Sequence, residues 1–258
     1  MPTTDTGASE ILANLSIGTV VMIALALTAL RLLLLYANKT SPRPGAPPET
    51  PGWARGLAEI LESLVIAGIL VFLIIRPFFV QAFYIPSESM ENTLMGHEAG
   101  TNPATGETHT DTVHDHIFVN KLVYRYSEPQ HGDIIVFRAP KSADMEAERF
   151  GRPPVENVLI KRLIGLPGDT IEVKDGAVYR NGQRLDEPYI KEPMNAPSEN
   201  AKFAVHEPLK LGPGQLFVMG DNRNDSNDSR YWGTLDRSRV IGKAQIIFWP
   251  LNRIRMLH

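Results

Sequence analysis

The chain has 258 residues, a formal net charge of −3 and no cysteine. A near-neutral balance without a block of like charge leaves no electrostatic footprint for nucleic acid. The missing cysteine excludes disulfides, thiolate metal sites and a cysteine nucleophile together. Twenty prolines and twenty glycines lie between Val/Ile-rich runs over the later two-thirds of the chain and mark turns between strands, which predicts a mainly β soluble part.

Ile11 to Leu30 carries no charge, and the apolar run continues past Arg31 to Tyr36. That is long enough to span a bilayer. A cleavable signal peptide is the rival reading, but residues 1–10 hold Asp5 and Glu10 with no Lys or Arg, and the apolar core is longer than such signals use. Residues 1–37 are therefore expected to be an N-terminal tail and a first transmembrane helix.

Residues 38–56 form a linker in which Pro42, Pro44, Pro47, Pro48 and Pro51 forbid a helix interior. Residues 57–76 are expected to form a second transmembrane helix, opened by Glu59 and Glu62 and closed by Arg76-Pro77. The uncharged part, Ser63 to Ile75, is short for a span, so a buried or re-entrant helix is the alternative; Glu62 at the interface favours the span. Arg31, Lys39, Arg43 and Arg55 make the connecting loop cytoplasmic, which puts residues 77–258 on the extracytoplasmic side.

Beyond Pro77 short β-like runs recur between turn signals: Phe79–Ile85, Ile117–Tyr124, Asp133–Arg138, Val158–Ile164, Thr170–Val173, Ala177–Tyr179, Leu216–Met219 and Ala244–Trp249. The spacing predicts a β-barrel or sandwich-like domain. Asn181-Gly182 between Ala177–Tyr179 and Arg184-Leu185 predicts a type I′ hairpin. Two polar segments, Gly96–Asp115 and Lys141–Val155, read as surface loops.

Three places could carry chemistry. Ser89 follows an apolar run in Ile85-Pro86-Ser87-Glu88-Ser89-Met90 and could be a nucleophile, although serines after proline are ordinary turn residues. Lys161 sits in the strand-like Val158–Ile164 with Leu159 and Leu163 on its face; desolvation there lowers a lysine pKa and favours the neutral amine that can act as a base. Arg162 is flanked by apolar residues on the other face, so alternation does not choose between the two. The block Gly220–Arg230 is either a solvated loop or a network whose Asp/Arg pairs hold it rigid. His109, His114 and His116, with Asp111 and Asp115, could hold a metal, but no second cluster supplies a further ligand and a solvated His-rich loop is the plainer reading.

These signals occur in one chain in the order Ser, Lys, polar block, and here the sequence resembles bacterial type I signal peptidase. Pro86-Ser87-Glu88-Ser89-Met90 is similar to that family's nucleophile box and His131-Gly132-Asp133-Ile134-Ile135-Val136-Phe137 to its second box. Lys161-Arg162-Leu163-Ile164-Gly165-Leu166-Pro167-Gly168-Asp169 is similar to its lysine box, and 220–230 with Tyr231-Trp232-Gly233 to its last. The likeness spans roughly residues 77–250.

The resemblance implies a mostly β protease domain with a smaller β region inserted at about 170–213. It implies Ser89 as nucleophile, Lys161 as general base, Ser226 holding the lysine amine, Ser87 helping to bind the oxyanion, and Asp228 and Arg230 supporting the loop. Phe83, Ile85, Val136 and Ile160 would line shallow pockets for small residues, which suits cleavage after A-x-A type sites. The partners implied are signal peptides of exported preproteins and the lipid bilayer of the inner membrane; no cofactor or metal is implied.

Three positions depart from the family pattern: Glu88 stands in place of a frequent Gly, Asn92 in place of the usual Pro, and Asn224-Asp225 reverses the commoner order. The competing expectations are a non-enzymatic membrane-tethered β domain that binds a partner, and a metal-dependent hydrolase using His114 and His116.

Overall fold

The computed structural model describes residues 17–37, 39, 49–75, 78–102, 106–143, 158–195, 201–205 and 207–257. The expected tail at residues 1–10, most of the Pro-rich linker, the Arg76-Pro77 closure and most of the Lys141–Val155 insertion lie outside the described residues. Contacts within the chain divide it into two units, Met1–Val80 and Gln81–His258.

The first unit holds α1 (Ile17–Ala37) and α2 (Gly52–Ile69), the latter continued by a π-helical turn, Leu70–Ile75. Both helices present apolar side chains outward, with Met22 66%, Leu25 59%, Ile60 57% and Ile66 59% exposed. Helices whose outward side chains are largely apolar suit lipid surroundings. Gly18–Ala37 and Gly52–Ile75 are long and apolar enough to cross a bilayer. Arg31 of α1 and Glu62 of α2 pair at 2.6 Å and so partly neutralise each other.

The second unit is built from strands. β1 (Val80–Tyr84) is followed by four two-residue strands inside the first polar insertion: β2 (Gly96–His97), β3 (Gly100–Thr101), β4 (Thr108–His109) and β5 (Val113–His114). The chain then runs through β6 (His116–Asn120), β7 (Ile134–Arg138) and β8 (Val158–Gly165). β9 (Thr170–Lys174), β10 (Ala177–Arg180), β11 (Gln183–Arg184) and β12 (Leu209–Lys210) form a four-stranded sheet of their own. β13 (Gln215–Met219), β14 (Leu235–Asp236), β15 (Val240–Trp249) and β16 (Arg255–Met256) complete the order.

The main sheet has eight strands in the order β1-β6-β15-β7-β8-β13-β14, with β16 added beside β15. Register shifts in β15 against β6 and β7 mark bulges, which bend and twist a strand and curl the sheet. Strand alternation sends Ile134 and Val136 of β7 into one apolar cluster and Ile135 and Phe137 into another, so β7 is buried on both faces. A third cluster joins Ile164, Phe217 and Met219 of the main sheet to Ile171, Val173 and Val178 of the small one. Each such buried side chain contributes roughly 1.5–3 kcal/mol of transfer free energy, and the two sheets are held together by it.

Local chemistry explains where the strands stop. The expected run Ile117–Tyr124 ends at Asn120, because its Oδ1 accepts hydrogen bonds from the amides of Leu122 and Val123 and turns the chain into the helical turn Val123–Tyr126. β15 starts four residues ahead of the expected Ala244, at Val240. Gly242 makes this possible, since a Cβ there would overlap the Asn120 carbonyl of β6. At the hairpin, Asn181 (φ 54°) and Gly182 (φ 79°) both take the left-handed conformation of a type I′ turn, with Arg180 opposite Gln183.

The Gly96–Asp115 segment is more than a solvated loop. Its β2–β5 and β3–β4 ladders pack it down, and His97 and Asp115 are buried. Asp115 accepts hydrogen bonds from Arg253 at 2.7 and 2.9 Å and from the Met95 amide, which removes the cost of burying its charge.

Candidate active site

Ser89 lies in a short 3₁₀ turn, Glu88–Met90, reached from β1 through Ile85-Pro86. Ile85 before it and Met90 and Leu94 after it are sunk in the same apolar cluster, which fixes the turn from both sides. The Ser89 carbonyl accepts from the Asn222 amide at 3.2 Å, so the turn is tied to the polar block as well. Glu88 is absent from the residues with positive φ, so the backbone here makes no demand that only glycine meets. Asn92 does have φ 79°, a conformation closed to the proline that commonly stands there, and its side chain bonds the Tyr189 carbonyl.

Lys161 comes from the middle of β8, facing Ile135 of β7, and is 3% exposed. Its Nζ is 2.6 Å from Ser89 Oγ. Burial pulls its pKa down to about 8; Asp228, Asp221 and Asp225 pull the other way and lose. They lose for a structural reason: the two nearest carboxylates already have arginines. Asp221 takes two hydrogen bonds from Arg162 at 2.8 and 2.7 Å, and Asp228 takes two from Arg230, both at 2.8 Å. The pairing distinguishes the two basic residues that alternation left equal, because Arg162 is neutralised by Asp221 and stacked over Tyr189 at 4.0 Å.

The block Gly220–Arg230 is a buried network. Asp221, Asn222, Arg223, Asp228, Ser229 and Arg230 are all buried. Arg223 donates to the Gly220 carbonyl and forks onto Glu187 at 2.8 and 2.7 Å, while Arg230 reaches the Arg223 carbonyl. Asp228 also caps the short helical turn Ser229–Trp232 and accepts from the Gly220 amide. Burial alone would raise the Asp228 pKa; the Arg230 charge and these donors hold it below the usual carboxylate range. Charge-assisted forks of this kind are stiff as well as strong.

Around the pair lies a groove of about 100 Å³. Phe83, Ile85, Val136 and Ile160 line it together with Ser87, Ser89 and Lys161, and so do Leu159 and four residues not expected in the pocket, Tyr84, Pro86, Ile117 and Val158. Ile117 of β6 and Val158 of β8 could have been offered as neighbours only if the strand order were known. Ser87 is exposed, with Oγ 3.4 Å from Ser89 Oγ. Ser226 is buried against Gly220, and no hydrogen bond joins its hydroxyl to the Lys161 amine.

The histidines weighed, and not favoured, as a metal set make separate contacts. His114 Nδ1 bonds the Ile85 carbonyl and Nε2 bonds Glu98, both at 2.9 Å. His116 packs its ring on Tyr84 and Phe248. A hydrolase built on His114 and His116 therefore has no support in the geometry. His109 instead meets His97, across the insertion from where the spacing pointed.

The family described as "Signal peptidase, peptidase S26" matches residues 57–249. The chain is 37% identical over 224 residues to "Signal peptidase I" of Leptolyngbya laminosa, covering 85% of this chain and 96% of that protein. It is 41% identical over 199 residues to "Probable signal peptidase I-1" of Synechocystis sp., covering 76% and 85%. It is 35% identical over 233 residues to "Signal peptidase I" of Mycobacterium tuberculosis, covering 76% and 74%. Relatives of this kind do not favour the non-enzymatic binding domain. A lysine with a lowered pKa against a serine hydroxyl, inside a small apolar groove, agrees with them, and the chain belongs to the signal peptidase family, peptidase S26, serine endopeptidases that cleave signal peptides.

Proposed function

We propose that this peptidase works by acyl transfer through Ser89 and Lys161. The observation that carries the proposal is the 2.6 Å approach of Lys161 Nζ to Ser89 Oγ at a lysine that is 3% exposed. Neutral Lys161 accepts the Ser89 proton as Oγ attacks the scissile carbonyl, the protonated amine then gives a proton to the leaving amine, and water activated by the same lysine releases the acyl-enzyme. The oxyanion is held by the Ser89 amide and the Ser87 hydroxyl. Ser89 lies in the first turn of its 3₁₀ helix, where N–H groups have no acceptor within the helix. None of these steps calls on a metal or cofactor.

Asp228 and Arg230 act as positioning residues that hold the Gly220 turn against Ser89. Ser226, buried beside the Gly220 turn, would hold the lysine amine, although no hydrogen bond joins the two in this structure. Phe83, Ile85, Val136 and Ile160 select small side chains, so cleavage falls after A-x-A type sites. The two apolar helices anchor the chain in the inner membrane as a two-span protein, and residues 77–258 work on the extracytoplasmic side, next to the bilayer that still holds the substrate's apolar segment.

The test is processing of a signal-bearing precursor by the full chain in detergent or vesicles. Ser89→Ala and Lys161→Ala should each abolish cleavage while the protein stays folded; full activity in either variant overturns the pair.

A further inference from the structure

Two acidic side chains flank the serine turn, and each meets a histidine of the Gly96–Asp115 insertion. Glu91, beyond Ser89, accepts a hydrogen bond from His97 Nδ1. Glu88, the residue before Ser89, brings Oε2 to 3.6 Å from His109 Nε2. The two imidazoles stack on each other, ring centroids 3.9 Å apart and planes 7° from parallel. The insertion therefore grips the turn on both sides of the serine. Its backbone comes equally close, since a Cβ on Gly96 would lie within 2.8 Å of the Ser87 amide nitrogen, the Ser87 carbonyl oxygen and the Ile85 carbonyl oxygen.

The two grips differ in how well they are satisfied. Glu91 is also held by Lys191 at 2.7 Å, and the same ammonium reaches Glu107 of the insertion at 2.5 Å. That lysine is taken up by two carboxylates, which leaves the Glu88 carboxylate to the imidazole. Glu88 Oε2 and His109 Nε2 are both buried, and neither has a hydrogen-bond partner. A buried acceptor without a donor is costly, and a contraction of about half an ångström brings this nitrogen to hydrogen-bonding distance of the oxygen. One small movement satisfies both atoms.

We propose that His109 is a positioning residue, whose Nε2–H donates to Glu88 and so holds the Glu88–Met90 turn where Ser89 Oγ meets Lys161. The inference rests on the Ser89–Lys161 reading of the site. It is the glutamate that creates the need for the histidine. With glycine at this place nothing buried would ask for a donor, whereas a carboxylate deprived of one turns toward water and draws the adjoining backbone with it. Lys161 Nζ and Ser89 Oγ are 2.6 Å apart, so a displacement of about an ångström breaks the path of the proton.

The experiment follows cleavage of a precursor peptide by the full chain, comparing His109→Ala with Glu88 present and in a Glu88→Gly background. With Glu88 present, kcat should fall by up to about a hundredfold while KM stays near the wild-type value. In the Glu88→Gly background the same substitution should cost about twofold or less, because the interaction it removes is already gone. His109→Gln, whose amide nitrogen can donate to Glu88, should restore most of kcat. Equal losses in the two backgrounds, or a His109→Gln variant no better than His109→Ala, overturn the proposal and leave His109 to the folding of the insertion. Full activity in Ser89→Ala or Lys161→Ala would remove the catalytic pair itself, so the two failures are told apart. Should His109→Ala not fold, the imidazole nitrogen NMR shifts of the wild type decide. A proton on His109 Nε2 supports the proposal, and a bare Nε2 overturns it.

Discussion

No side chain fits between Gly220 and Ser89: a Cβ on Gly220 would overlap both the Ser89 carbonyl oxygen and Ser226 Oγ. Gly220→Ala should therefore push the Ser89 turn away from β8, at a cost of about 1–3 kcal/mol in stability. Because the displaced residue carries the hydroxyl, precursor cleavage should fall far more than the melting temperature. A variant with wild-type kcat/KM would show that the close approach does not position the serine.

The pH dependence follows from the lysine. Its pKa falls from 10.5 to about 8, chiefly through burial, so kcat/KM should rise about tenfold per pH unit below 8 and level off above it. For stability, the unfolded chain holds this proton up to 10.5 while the folded chain releases it near 8. The unfolded state binds more protons between those values, so the contribution of the group to stability improves as pH rises from 8 to 10.5. Lys161→Met should accordingly stabilise most below pH 8, with the gain shrinking toward pH 10.5. Melting temperatures of both proteins across that range check the sign.

Ser87 offers a hydroxyl 3.4 Å from that of Ser89. If it donates to the oxyanion, Ser87→Ala should lower kcat about a hundredfold and leave KM nearly unchanged. Steady-state kinetics on a peptide substrate separate the two; an effect confined to KM would assign Ser87 to binding.

Arg162 is buried with Asp221 as its partner. Asp221→Asn leaves the guanidinium charged and uncompensated, which should cost about 3–5 kcal/mol in denaturant unfolding. The conservative Arg162→Lys should fare poorly too, since an ammonium cannot reproduce the two-pronged bond and the stack on Tyr189.

Val136 and Ile160 wall the small groove beside Ser89. Val136→Ala and Ile160→Ala should widen it and admit substrates with valine or leucine in place of alanine, changing the ratio of kcat/KM values by roughly 10- to 200-fold. Competition between two precursor peptides reads this directly, and an unchanged preference would remove these residues from specificity.

Much of this was legible in the residues. Apolar runs between turn signals located the strands, because alternation and breakers are local properties of a chain. Ser89 and Lys161 could be paired only through the resemblance, since nothing local tells a base in β8 from Arg162 beside it; the difference lies in Asp221, which the fold delivers from elsewhere. The block Gly220–Arg230 looked solvated for the same reason. Its four buried charges at Asp221, Arg223, Asp228 and Arg230 are tolerable only through partners that composition does not reveal. For the histidines, spacing along the chain suggested other neighbours than the fold provides. Neighbours along one strand drew attention to His114 and His116, whereas a ladder between β3 and β4 brings His109 to His97.

β1 ends the order of the main sheet, and β13 pairs with β8 only from Arg162 to Gly165, so the β1 end and Val158–Ile160 both line the groove with one flank unladdered. Among the described residues backbone is left open there, and an open strand edge is one to which an extended chain can add by main-chain hydrogen bonds. A helix or a tightly folded loop has no spare amides to offer it. A chain held extended, such as the stretch between a leader and its cargo, is the kind of guest that an edge of this sort suits.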